Sequence, residues 1–342
     1  MSKIRTDHYY SDYLQLDDIL NAQTLQSEEA GLPAHDEMLF IITHQAYELW
    51  FKQIIFELDS VAAFFGRGAV NDHSTGMAIS VHRLKRVCEI FHLLIDQITV
   101  LETMTPLDFL DFRNMITPAS GFQSAQFRHI EALLGLKMEG RHGRDYYLEQ
   151  FRKDDIDELQ QTEKRPTILQ LVEDWLVRFP FFDTAYWSEY APLQGKNDFW
   201  QDYLHLYGES LSERENRDQK MEQFRTDFLA ADRSSQVNRS ALFIMLFRDF
   251  PILQQPFTLL DTLIEIDQLM ATWRYRHMTM VRRMIGLRTG TGGTTGKGYL
   301  AGAARQNYVF DEFASLATYL IERRHLPALP LYLREELSFI RR

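Results

Sequence analysis

Two histidines stand where hydrophobic side chains are expected. In DEMLFIITHQAYELWFKQIIFELDSV, residues 36 to 61, Phe40, His44, Tyr47, Phe51, Ile54 and Leu58 recur every three or four positions. That recurrence is the buried stripe of an amphipathic helix. In LLDTLIEIDQLMATWRYRHMTMVRRMIG the corresponding row is Leu259, Leu263, Ile266, Met270, Trp273, His277, Met280 and Met284. A lone imidazole on such a row ordinarily satisfies a backbone carbonyl. A pair of them admits a second chemistry, because a helical protein that holds haem uses one imidazole as axial ligand. The other, on the opposite face, can then meet dioxygen or substrate. Trp273, Met280 and Val281 surround His277 with apolar bulk suited to a porphyrin, and Phe40 offers His44 a neighbour suited to a flat organic molecule. Spacing leaves open which of the two is the ligand.

Arg113 is the third residue of interest. In LDFLDFRNMI it follows Phe109 by one turn and sits beside Phe112, on or near the apolar face. A partly buried guanidinium requires an anion, either a protein carboxylate or a ligand carboxylate gripped by the two-pronged fork. The run TGTGGTTGKG, residues 289 to 298, tempts toward a phosphate loop and fails as one. Thr291 stands where the first glycine is required, Gly298 follows Lys297, and a helix precedes in place of a strand. What remains is a hydroxyl-rich loop, a linker or a lid that orders over a ligand. Two Glu-x-x-His pairs, Glu89/His92 and Glu322/His325, match half of a di-iron motif. With 11 histidines in the chain about one such pair is expected by chance; a di-iron centre also needs glutamates from two further helices, and the second pair lies in ERRHLP, at the end of a helix.

The elements that must position these groups read as helices almost throughout. YLQLDDILNAQ is a short helix, and Asp36 is the expected cap of the first long one. Residues 79 to 104 form another long helix. Thr105, Pro106 and Asp108 are a start signal for a short helix, TPASGFQS ends it, and AQFRHIEALLGL begins the next. Residues 138 to 165 read as polar and irregular, TILQLVEDWLVRF and FWQDYLHLYGESL as helices. SERENRDQKMEQFRTD reads as a solvated helix or an insertion. Two helices divided near Pro251 and Pro256 fill residues 239 to 287, the second about 28 residues and roughly 42 Å long. No β-α-β alternation or internal repeat is visible, so the expected fold is all-α, one domain over 1–342.

Composition bounds the function. The chain has 342 residues, 45% hydrophobic and 13% aromatic, with a formal charge of −11. That charge argues against nucleic acid and anionic membrane as partners. One cysteine, Cys88, excludes an internal disulfide framework and covalent haem attachment through Cys-x-x-Cys-His. The start has no apolar signal core and no segment is long enough to span a bilayer, so a cytoplasmic protein is expected.

The chain closely resembles the tryptophan 2,3-dioxygenase family. The strings that carry the resemblance are YSDYLQLDDILNAQ, HDEMLFIITHQAYELWFKQIIFELDSV, LETMTPLDFLDFRNMITPASGFQSAQFR, IDQLMATWRYRHMTMVRRMIG and GTGGTTG, in order from about residue 9 to 325. Residues 138 to 235 match least distinctively. The resemblance implies a haem b enzyme that inserts both atoms of dioxygen into the indole C2–C3 bond of L-tryptophan, giving N-formylkynurenine, the first step of the kynurenine pathway. It implies His277 as the proximal iron ligand, with Trp273 and Ser120 beside the haem. His44 would be the distal histidine, accepting a hydrogen bond from the indole N–H. Phe40, Ile41, Ile42, Thr43 and Phe109 would line the substrate, the last being tyrosine in some bacterial members. Arg113 would clamp the carboxylate and Thr291 the ammonium or carboxylate. The enzyme would be a homotetramer in which Tyr10, Tyr13 and Leu14, from the segment 1–30, line a neighbouring subunit's site.

Overall fold

The computed structural model describes residues 9–67, 75–136, 151–196, 198–288 and 308–338. The chain is all-α: 74% of it is helical, with no strand among the described residues. Helices α1 (Tyr10–Leu14), α2 (Leu16–Leu20) and α3 (Gln26–Glu29) precede the long α4 (Asp36–Gly66). The expected single amino-terminal helix is two, because Gln15 adopts φ 54° and turns the chain between them. Asp36 is the first residue of α4 and not its cap. His35 holds the cap position, and the acid that works at this end is Glu37. Its buried carboxylate accepts the N–H groups of Gln26 and Ser27 at 2.8 and 2.9 Å, tying α3 to α4.

After α5 (Thr75–Leu101), helix α6 (Pro106–Arg113) opens with the full reciprocal cap read from sequence, Thr105 accepting from Asp108 N–H and Asp108 from Thr105 N–H. Then come α7 (Ala125–Leu134), α8 (Lys153–Glu163), α9 (Ile168–Val177), α10 (Thr184–Trp187), α11 (Phe199–Ser210), α12 (Arg217–Phe224) and α13 (Arg233–Leu246). Of two polar stretches, the first is more ordered than its composition suggests and the second is the solvated helix expected. Residues 153 to 163 are helical, seated by the buried Leu159. The charged stretch around α12 is anchored by Phe224 and Phe228, both fully buried and stacked 4.5 Å apart.

Helix α14 (Pro251–Ile285) is longer than expected, 35 residues in place of about 28. Pro251 occupies the first helical position, where its missing N–H costs nothing. Pro256 lies in the second turn, where it deletes the single rung to Ile252 O and leaves the rest of the helix intact. Two short helices, α15 (Asp311–Ser315) and α16 (Leu331–Leu337), complete the described chain.

The site is organised by four of these elements. Both α4 and α14 pack along α5, and α6 touches both of them. Ile54, Leu58 and Val61 of α4, and Leu259, Leu263 and Ile266 of α14, are fully buried. Each such side chain contributes about 1.5–3 kcal/mol. One apolar core continues through these helices into α9, α11 and α13. Burial relaxes along both rows toward the histidines: Phe40, His44, Trp273 and His277 are only half-buried. No helix among the described residues is long and apolar enough to cross a membrane.

Candidate active site

Side chains close the space between α4 and α14. Tyr47 and Phe51 of α4 meet the indole of Trp273 edge-on, with centroids 6.0 and 5.9 Å away. The helices run in opposite directions here, so moving from Phe51 to His44 on one matches moving from Trp273 to His277 on the other. The two imidazoles therefore arrive at the same level. They are near enough that charge on His44 lowers the basicity of His277.

Desolvation is the larger effect on both rings. It holds His277 down to about 4, and it lowers His44 against the opposing pull of the Phe40 carbonyl and of Glu48. Both are neutral at pH 7. Rings that are desolvated yet retain accessible surface line a recess in the interior. Two cations could not share it, so neutrality is what allows both imidazoles to face one space.

The two rings are held differently. His44 Nδ1 lies 2.7 Å from Phe40 O. A carbonyl only accepts, so Nδ1 carries the proton of the neutral ring and Nε2 presents a lone pair. Phe40 also packs against the ring, 4.1 Å between centroids. His277 stacks on Trp273 at 5.4 Å and 7°, and among the described residues no hydrogen bond engages either of its ring nitrogens.

Helix α6 supplies the aromatic wall. Phe109 and Phe112 lie 5.8 and 5.5 Å from Phe40 and 5.4 Å from each other. Arg113, the last residue of α6, is half-buried next to the fully buried Phe112. Beyond it the chain turns through the cis Thr117–Pro118 bond to Ser120, which is half-buried and whose N–H donates to Gln123 Oε1.

The structure thus gathers Phe40, His44 and Phe109 into one group, Trp273 and His277 into a second, and sets them against each other. It separates other expected lining residues. Ile41 is half-buried beside His44, whereas Ile42 is half-exposed on the far side of α4. Thr43 is buried toward α5, its carbonyl accepting from Gln97. Tyr10, Tyr13 and Leu14 are exposed on α1, a helix that buries none of its own residues. Thr291 and the glycine loop lie outside the described residues. Of the Glu-x-x-His pairs, His92 faces Glu265 at 3.9 Å and His325 its own Glu322 at 3.9 Å. Among the described residues no group of three or more His, Cys, Asp and Glu side chains gathers at either. Cys88 is buried, and desolvation raises its thiol far above the ordinary value, so it stays protonated.

Sequence reading missed the layer behind the pair. Phe127 of α7 packs on Trp273 at 4.8 Å. Beside it Glu131, fully buried, joins Arg128 at 2.6 Å and Arg274 at 2.7 Å. Charges in AQFRHIEALLGL at an amphipathic spacing were the only signal.

An all-helical chain with two neutral imidazoles across an aromatic recess has the chemistry to hold a flat apolar ligand by a nitrogen donor. Comparison with known proteins narrows that class. A family model described as tryptophan 2,3-dioxygenase matches residues 2–320. The chain is 40% identical to the tryptophan 2,3-dioxygenase of Bdellovibrio bacteriovorus, over 97% of this chain and 98% of that protein. It is 40% identical to the tryptophan 2,3-dioxygenase of Dictyostelium discoideum, over 97% and 88%, and 41% identical to that of Mus musculus, over 94% and 84%. The chain belongs to the tryptophan 2,3-dioxygenase family.

Proposed function

We propose that the protein is a haem-dependent dioxygenase that adds both atoms of O2 across the indole C2–C3 bond of L-tryptophan. The ring opens and N-formylkynurenine forms, which begins tryptophan breakdown through the kynurenine pathway. The observation that carries the reading is the facing pair, His44 with a lone pair on Nε2 and His277 with neutral nitrogens that no hydrogen bond engages among the described residues.

The donor set fits haem b. His277 offers a neutral nitrogen among Trp273 and the buried Met280, an apolar setting that favours iron porphyrin over an oxygen-seeking ion. Ser120 and Trp273 would border the group. The chemistry that ferrous haem supplies when bound is activation of dioxygen; the chain's residues do the rest. His44 Nε2 accepts the indole N–H, since its other nitrogen is already donating to Phe40 O. Its depressed basicity makes it a hydrogen-bond partner and a weak base. Phe40 and Phe109 pack the faces of the indole, with Ile41 beside them, while Ile42 and Thr43 face away from it. Arg113 receives the substrate carboxylate, and Thr291 the ammonium or carboxylate. An amino-acid substrate is thereby selected over plain indole, because only a ligand carboxylate gains the charge-assisted hydrogen bond that the half-buried guanidinium can give.

The exposed Tyr10, Tyr13 and Leu14 fit a role in a neighbouring subunit of a homotetramer. A cytoplasmic setting accords with the single buried thiol. Incubation of the haem-loaded protein with tryptophan under labelled dioxygen tests the reading. The expected product carries two labelled oxygen atoms, and a product carrying one overturns it. Conversion of His277→Ala to a haem-poor protein while His44→Ala keeps the Soret band is the expected pattern for the two histidines.

A further inference from the structure

A histidine that binds a metal is normally aimed by a second hydrogen bond, from its far ring nitrogen to a carboxylate or carbonyl. His277 has no such partner among the described residues, yet its ring is held within 7° of the Trp273 plane. Behind Trp273 the contacts form a continuous series. Phe127 packs on the indole at 4.8 Å, and Phe51 and Tyr47 abut it edge-on at 5.9 and 6.0 Å. The guanidinium groups of Arg128 and Arg274 lie over the Phe127 ring, 5.2 and 5.7 Å from its centroid. Both arginines end on the carboxylate of Glu131, one on each oxygen, at 2.6 and 2.7 Å. Glu131 and Arg128 belong to α7, and Arg274 is the residue after Trp273 on α14.

We propose that Glu131 and Trp273 are positioning residues for His277. The buried carboxylate pins two guanidinium groups against Phe127, Phe127 fixes the indole, and the indole sets the rotation of the imidazole. Stacking replaces the usual hydrogen bond. The consequence is chemical: an imidazole aimed by a carboxylate gains imidazolate character, whereas one aimed by an aromatic face remains a plain neutral donor. Glu131 accepts from both buried guanidinium groups, and through them ties α7 to α14 at the level of the ligand. The ladder itself stands on contacts within the chain; its significance for the metal rests on the reading of His277 as the axial ligand.

Two measurements on the full-length protein separate these levels. In the haem-free protein, with histidines labelled at Cε1, the His277 ring proton is expected well upfield, because it sits over an indole face. Trp273→Leu should abolish that displacement, Trp273→Phe should keep part of it, and Glu131→Gln should reduce and broaden it while Glu131→Asp retains more. In the ferrous haem protein the iron–histidine stretching band is expected to shift or broaden in Trp273→Leu and Glu131→Gln, with haem affinity falling about ten- to a hundredfold. The double variant should be no worse than Trp273→Leu alone, since both act on one path. Circular dichroism confirms that each variant is folded. An unmoved His277 proton in Trp273→Leu, or additive effects in the double variant, would overturn the proposal. If the ring-proton pattern holds but His277→Ala retains the wild-type iron–histidine band, the ladder exists and the axial assignment is what fails.

Discussion

The Nδ1 atom of His44 lies 2.7 Å from the carbonyl oxygen of Phe40, one turn earlier in α4. That contact decides the tautomer, and the tautomer decides what His44 can offer a ligand. Imidazole nitrogen chemical shifts at pH 7 should show a protonated Nδ1 and a bare Nε2. The ring should titrate below the ordinary histidine value, because desolvation outweighs the carbonyl's help. On the role proposed for His44, removing the acceptor in His44→Ala leaves the substrate N–H unpaired in the recess. An unpaired buried donor costs about 1–3 kcal/mol, so kcat/KM for tryptophan should fall roughly 5- to 150-fold with haem content unchanged.

Arg113 closes α6 at the edge of the aromatic wall. Its guanidinium should discriminate by charge. In Arg113→Ala a thermal-shift titration with tryptophan should show affinity weakened about 10- to 150-fold, the span of a charge-assisted hydrogen bond. The same titration with indole should change little. Equal weakening for both ligands would mean that Arg113 supports the fold of the wall and does not read the carboxylate.

Asp267 gives the fold a pH dependence of known sign. Its buried carboxylate accepts the N–H groups of Val309 and Phe310, at 2.9 and 2.5 Å. Desolvation outweighs these bonds and the nearby Arg274, and raises the group to about 6. A raised carboxyl favours the folded state while protonated, and that contribution is lost as pH rises from the unfolded value near 4 through 6. The loss is about 3 kcal/mol by linkage. Asp267→Asn keeps an acceptor without the charge. Its stability relative to wild type in urea should therefore be greater at pH 7.5 than at pH 4.5, with the difference closing between pH 6 and 4.

Much of this was legible in the sequence because it is local. The row Phe40 to Leu58 is periodic, and the cap at Thr105 needs only three neighbours, so both are written in adjacent residues. The limits of α14 were less legible because a proline's effect depends on its place in the helix, and Pro256 falls where one missing rung is tolerated. Helix α8 escaped notice because Leu159 is its only buried residue, too little to show a period. The pairing of Glu131 with Arg274 joins positions 143 apart. In WRYRHMTMVRR, Arg274 is one basic residue among several, and no spacing marks it as the buried one. The facing of His44 and His277 has the same character: each row predicts a buried imidazole, and only the antiparallel packing on α5 brings them level.

Gly135 closes α7 just past the residues that carry the ion cluster. It adopts φ 142°, a backbone conformation that residues with a Cβ rarely enter. A Cβ there would also stand 3.0 Å from Val309 Cγ1 and 3.1 Å from Leu169 Cβ. Neither neighbour can yield cheaply. Leu169 Cβ is fixed to the backbone of α9, and Val309 is held by the N–H bond to Asp267. Gly135→Ala therefore combines strained φ with overpacking, which costs about 1–3 kcal/mol beyond the dihedral penalty. Urea unfolding should show a lower midpoint with an unchanged slope. Because the displaced atoms lie at the joint of α7, α9 and the chain after the glycine loop, and not in the recess, tryptophan turnover by the folded fraction should remain near wild type. A variant that kept full stability would show that α7 ends in a conformation other than the one described.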